Sequence, residues 1–226
     1  ENAGTPFEFV PSHTTADAPE TVYHVRKRAK EYELKGVSYT VHYPTYKGKP
    51  TSMWKLIPIK LMPPTRTVRY CCAVLKETTG RDRFIATGVR WAESTARKNN
   101  RSSLEILTAD RKKKLLLNND NDEDRRLFET CTLKGKRVCN PIIDWQESDV
   151  WDYLTEQHVE CNPLYCEGWP RVGCVGCPMA GKARYREFAQ YPKYRQMYIN
   201  AFDRMLAERQ RRRDPHQNRE GGLSHG

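Results

Sequence analysis

Apolar positions along the chain switch repeatedly between a two-residue and a three-to-four-residue spacing, so strands and helices take turns. Phe7-Glu8-Phe9-Val10 alternates like a short strand. Asp17-Ala18-Pro19-Glu20 then carries a capping aspartate, a proline in the first turn and a glutamate placed to close the cap. These open a helix whose apolar face is Val22, Val25, Ala29 and Tyr32. Val37, Tyr39, Val41 and Tyr43 alternate as a second strand, and Thr51 to Met62 reads as a helix interrupted by Pro58 and stopped by Pro63-Pro64. Arg83 to Gly88 reads as a buried strand ending in a turn. Pro141-Ile142-Ile143 reads as another, before a helix capped by Asp144 and Glu147. After Pro192, residues Tyr194, Met197, Tyr198, Ala201, Phe202 and Met205 recur at helical spacing and are assigned to the core. The alternation predicts an α/β protein, a Rossmann-like parallel sheet with flanking helices and a C-terminal helical segment.

Between Ala96 and Arg137 the pattern dissolves into charge around Asn118 to Asp124, with Leu104 to Leu107 and Leu115 to Leu117 as apolar islands. The expected organisation is one domain over 1–207 with a charged, irregular insertion at about 96–137, and a basic, polar, disordered tail over 208–226.

Composition narrows the setting. No stretch of the 226 residues is apolar and long enough for a membrane helix, so no membrane partner is expected. Glu1 to Val10 lacks the basic start and apolar centre of a signal peptide, which favours reading the eight cysteines as reduced thiols or metal ligands in a cytoplasmic protein. A net charge of +11 favours anionic company, a nucleotide or a nucleic acid. The runs Arg111 to Lys114 and Arg209 to Arg213 read individually as solvated faces.

The densest chemistry lies in the adjacent pair Cys71-Cys72 and the distant Cys174-x-x-Cys177, the latter wrapped in glycine and proline. A soft sulfur quartet suits an iron–sulfur cluster or zinc, and spacing alone does not choose. Cys161, Cys166, Cys174 and Cys177 form an alternative local quartet, while Cys131 and Cys139 read as bystanders. Past the predicted strand ends lie Thr14, Thr15 and Ser94 as hydroxyl donors, and Arg90 and Arg97 as planar forks for phosphate or sulfate oxygens. The competing role for an arginine there is a surface pair with Glu93.

Several stretches together resemble the phosphoadenosine phosphosulfate reductase-like branch of the adenine-nucleotide alpha-hydrolase superfamily: Thr14 to Glu20, Met62 to Thr65 with Arg69 to Glu77, Thr87 to Ser94, Asn140 to Trp145 with Asp149 to Trp151, Asn162 to Tyr165, and Gly173 to Gly181. The resemblance implies a nucleotide-binding α/β fold that reduces adenylyl sulfate, or its 3′-phosphorylated form, to sulfite with electrons from a thioredoxin-like donor. It implies substrate contacts at Thr14, Thr15, Arg90, Glu93, Ser94, Arg97 and Arg171, and, as in the cluster-binding members, a 4Fe-4S cluster on Cys71, Cys72, Cys174 and Cys177, with Arg69 and Arg171 as neighbouring cations.

Two features depart from that pattern. The family's Ser-Gly-Gly-Lys-Asp-Ser phosphate loop has no counterpart before the first strand, so the chain reads as a fragment starting just past it. No cysteine follows Cys177, where reductases carry a nucleophilic thiol. These leave two further expectations: an ATP-dependent sulfur-transfer enzyme modifying nucleic acid, in the manner of DNA phosphorothioation, and a non-catalytic, zinc-stabilised nucleic-acid-binding module.

Overall fold

The computed structural model describes residues 4–80, 83–108, 114–130 and 135–213. In chain order its elements are β1 (Glu8–Phe9), α1 (Pro19–Leu34), β2 (Ser38–Tyr39), β3 (Thr45–Tyr46), β4 (Lys49–Pro50), α2 (Met53–Lys60), α3 (Tyr70–Leu75), β5 (Phe84–Ala86), α4 (Thr95–Asn100), β6 (Leu104–Thr108), β7 (Lys114–Leu117), α5 (Asp122–Thr130), β8 (Gly135–Cys139), α6 (Glu147–Glu156), α7 (Pro163–Cys166), α8 (Ala183–Gln190) and α9 (Pro192–Arg213). The α/β class expected from the pattern is the class found, with parallel pairing in β1·β2 and β5·β8. Two units divide the chain: the described residues up to Thr79 together with those from Asn162 onward, and Gly80–Cys161.

In the first unit, α1 lies against the β1·β2 pair, where the Phe9 ring meets Tyr32 and Tyr39 at centroid distances of 6.0 and 5.8 Å. The expected strand from Val37 to Tyr43 keeps only Ser38–Tyr39 as ladder, although Thr40 and His42 still donate to Phe9 and Pro11 carbonyls at 3.1 and 2.9 Å. Asp17 does not cap α1. Its carboxylate accepts from the Thr14 amide at 3.1 Å, leaving Ala18 at the cap and Pro19 to set the first turn. Helix α2 tolerates Pro58 and ends at Leu61, which adopts the left-handed conformation at φ 56°. It packs along α9, and Leu56, Ile57, Leu75, Tyr198, Ala201 and Met205 fill the space between them and α3. Full burial of Leu56 and Ile57 contributes about 2 kcal/mol each. The stripe on α9 is core except at Met197, which is 38% exposed. Glu208–Arg213 continue α9 rather than starting a tail; 214–226 lie outside the described residues, as do Cys131 and Arg111 to Lys113.

The second unit is a four-stranded sheet in the order β5-β8-β6-β7, with β5 parallel to β8 and the others antiparallel. The region read as irregular supplies β6, β7 and α5, whose Leu104, Ile106, Leu117 and Phe128 form a small core. Two apolar islands of three or four residues were enough for a hairpin once each had a partner strand. Phe84 is an edge position, 55% exposed, with its ring on Phe128 rather than buried. Pro141 to Ile143 is a turn; the strand is β8 just before it, because Pro141 has no amide hydrogen to give a ladder. The following helix is closed by Asp149, which accepts from the Gln146 amide at 2.8 Å, in place of Asp144 and Glu147.

Candidate functional site

In the first unit, Cys71 and Cys72 sit in the first turn of α3, and Cys174 and Cys177 in the loop before α8. That loop is pinned at both ends. Asp17 and Cys174 form an antiparallel bridge with the Val175 amide donating to the Ala16 carbonyl at 2.8 Å, and the Tyr198 hydroxyl donates to the Val175 carbonyl at 3.0 Å. The Cys177 amide returns to the Cys174 carbonyl at 3.2 Å, closing a turn whose third residue, Gly176, has φ +74°. A Cβ there would lie 2.6 Å from Tyr198 and 2.7 Å from Phe188, so this turn requires glycine both sterically and conformationally. Its amide donates to Glu187 at 2.7 Å.

Cys71, Cys72 and Cys174 pack on one apolar cluster with Tyr198, and the charge of Cys177 is felt at Cys71, Cys174 and Arg69. Three of the four sequence-predicted thiols thus share one cluster, with Cys177 in electrostatic reach of them. A hydrogen bond from Cys71, helped by the Arg69 guanidinium at 3.3 Å and opposed by burial, pulls the Cys72 thiol down to about 5. The same bond and burial push Cys71 up. Cys174 is raised by burial despite Lys76 beside it, and its thiol donates to Thr14 Oγ1 at 3.5 Å and Asp17 Oδ1 at 3.8 Å. Desolvation works against the charge of Lys76, yet Cys174, Asp17 and Cys72 raise its pKa overall. Asp17, Lys76 and Tyr198 were missed as members of this site, although Asp17 and Lys76 lie within the stretches that carry the resemblance.

Among the described residues, no group of three His, Cys, Asp or Glu side chains is drawn together tightly enough for a single metal ion. The donor set of this unit is thiols from two segments, Cys71-Cys72 and Cys174-x-x-Cys177, beside the cations Arg69 and Lys76. Thr14 is 2% exposed and Thr15, at φ 66°, accepts from the Met53 amide at 2.9 Å, so both hydroxyls hold backbone in this state. Arg171 is exposed and acts electrostatically on Glu187. Cys166 ends α7, exposed.

In the second unit, Thr87 follows β5 and donates to Asn140, and the Trp91 amide donates to the Ile143 carbonyl at 2.7 Å, fixing the loop that carries Arg90. Glu93 accepts from the Arg90 amide at 3.1 Å and pairs with Arg97, while Ser94 caps α4 through the Arg97 amide at 3.2 Å. The surface pair with Glu93 is thus made by Arg97 and not by the Arg90 guanidinium, whose Nη1 is buried without a hydrogen-bond partner among the described residues.

The family model for the phosphoadenosine phosphosulfate reductase domain matches residues 2–180. The chain belongs to that family. It is 29% identical over 199 residues to an uncharacterized protein of Methanocaldococcus jannaschii, covering 84% of this chain and 40% of that one. It is 32% identical over 115 residues to an adenosine 5′-phosphosulfate reductase of Neisseria meningitidis, covering 51% of this chain and 39% of that one. The chain thus spans about two-fifths of the length of these curated relatives. Among solved structures it is similar to a phosphoadenylyl-sulfate reductase from Candida auris in a phosphate complex, with 18% identity, a TM-score of 0.46, and coverage of 77% of this chain and 72% of that one. No helix among the described residues is long and apolar enough to cross a membrane.

Proposed function

We propose that the protein is a sulfonucleotide reductase-type enzyme, acting on adenylyl sulfate or its 3′-phosphorylated form, with a 4Fe-4S cluster on Cys71, Cys72, Cys174 and Cys177. The observation that supports this is the packing of Cys71, Cys72 and Cys174 on one apolar patch beside Arg69 and Lys76, with Cys177 in electrostatic reach, in a chain of this family. When bound, the cluster would tie together two segments distant in the chain. The substrate's sulfonyl and phosphate oxygens are acceptors only. Arg90, whose buried Nη1 lacks a partner among the described residues, is the donor in the second unit best fitted to them, with Arg97 as a further cation and Glu93 and Ser94 shaping the contacts. In the reaction the bond between sulfur and the nucleotide's phosphate oxygen breaks. A thioredoxin-like dithiol supplies the two electrons and becomes a disulfide, and sulfite and the nucleotide leave.

Anaerobically purified protein is expected to be brown and to contain iron, and serine at any of the four cysteines to abolish both properties, while Cys139→Ser keeps them. Colourless protein with stoichiometric zinc would overturn the cluster. Thioredoxin-dependent sulfite release from either sulfonucleotide tests the reaction. ATP consumption without sulfite would instead support sulfur transfer.

A further inference from the structure

Hairpin β3–β4 and the first turns of α2 enclose an open cleft of about 590 Å³ that plays no part in the chemistry above. Its floor is Tyr46, Pro50 and Ile59, and its rim carries Lys47, Lys49 and Lys55. All three lysines are exposed, and none pairs with a carboxylate among the described residues. Tyr46 is held by Lys60, whose Nζ donates to its hydroxyl at 3.0 Å and lies 4.4 Å from the ring centre. Thr51 also lines the cleft, with its Oγ1 buried beneath the surface. Lys47 and Gly48 form the two-residue hairpin turn at φ 50° and 75°, a conformation that favours asparagine or glycine over lysine at the first place.

We propose that this cleft binds single-stranded nucleic acid, with phosphates on Lys47, Lys49 and Lys55 and a base over the Tyr46, Pro50 and Ile59 floor. An aromatic, apolar floor with a cationic rim matches a strand that alternates flat bases with charges, and the chain's net charge of +11 favours a polyanion. This inference is independent of the sulfonucleotide reading.

The test is fluorescence anisotropy of a labelled oligothymidylate with the full chain, across a salt series. Three phosphate contacts to a single strand give a log-affinity against log-salt slope of about −2. The K47Q/K49Q/K55Q variant is expected to flatten the slope by about that amount and to weaken low-salt binding on the order of tenfold or more. The R211Q/R212Q/R213Q variant removes the same charge from α9 and is expected to leave the slope nearly unchanged. Equal losses in both variants, or an unchanged slope in the first with its circular dichroism intact, would overturn the site. So would binding of the wild type to phosphatidylserine vesicles in preference to the oligonucleotide.

Discussion

The first unit buries thiols and the second buries a charge, and each is stabilised by a different kind of neighbour. In the first, Cys71, Cys72 and Cys174 rest on Tyr198, Leu56 and Leu75, and only a few polar contacts, from Thr14, Asp17, Arg69 and Lys76, reach the sulfurs. In the second, Glu105 is fully buried on β6 and accepts from Arg101 at 2.6 Å, Asn140 at 2.9 Å and the Ser102 amide at 3.1 Å, with Lys114 at 3.0 Å. A thiol is a small apolar group that tolerates a dry pocket. A carboxylate needs its donors, so the second unit is specified by hydrogen bonding around one residue and the first by packing around a turn.

Breaking that contrast at its strongest point means removing the charge. Glu105→Ala leaves Arg101 and Lys114 without their counterion and the Asn140 amide with only the Ser102 carbonyl as acceptor, and is expected to cost about 3–5 kcal/mol in urea denaturation. Iron content per chain should be unchanged if the units fold separately; joint loss would show one shared transition.

Next in size is the packing of the thiol loop. Gly176→Ala places a methyl group against Tyr198 and Phe188 in a left-handed conformation, and is expected to cost about 3 kcal/mol and to lower iron incorporation. Stability within about 0.5 kcal/mol of wild type would mean the loop relaxes freely. Tyr198→Phe isolates the polar part of that packing. It leaves the Val175 carbonyl without its donor and should cost about 1–2 kcal/mol by thermal unfolding.

The smallest effects on stability are those of the arginines, which separate binding from stability. Arg90→Ala should weaken nucleotide binding by about 2 kcal/mol in calorimetry with little change in melting temperature. Arg97→Ala, which loses a half-exposed pair with Glu93, should change stability by about 0.3 kcal/mol. A reversed ranking for nucleotide affinity would reassign the two side chains.

The thiol quartet was legible because each half is a short motif, Cys71-Cys72 and Cys174-x-x-Cys177, and the family resemblance joined them. Its partners were less legible: Thr14 meets Cys174 across 160 residues and Asp17 across 157, distances that no local pattern spans. Glu105 was hidden inside an apolar island, Leu104 to Leu107, because a strand can bury both faces once Asn140, 35 residues away, supplies a donor.

The sequence alone determined the helices α1, α2, α6 and α9, the α/β class and the candidate cysteines, since periodicity, proline and spacing act over a few residues. Tertiary structure decided which cysteine-bearing segments meet, which strand is an edge, that Arg97 takes Glu93 while the Arg90 Nη1 is buried without a partner among the described residues, and that the charged region contributes β6 and β7 to a sheet. Each of those outcomes depends on burial and on partners distant in the chain, whose desolvation and hydrogen bonding have no counterpart in local pattern.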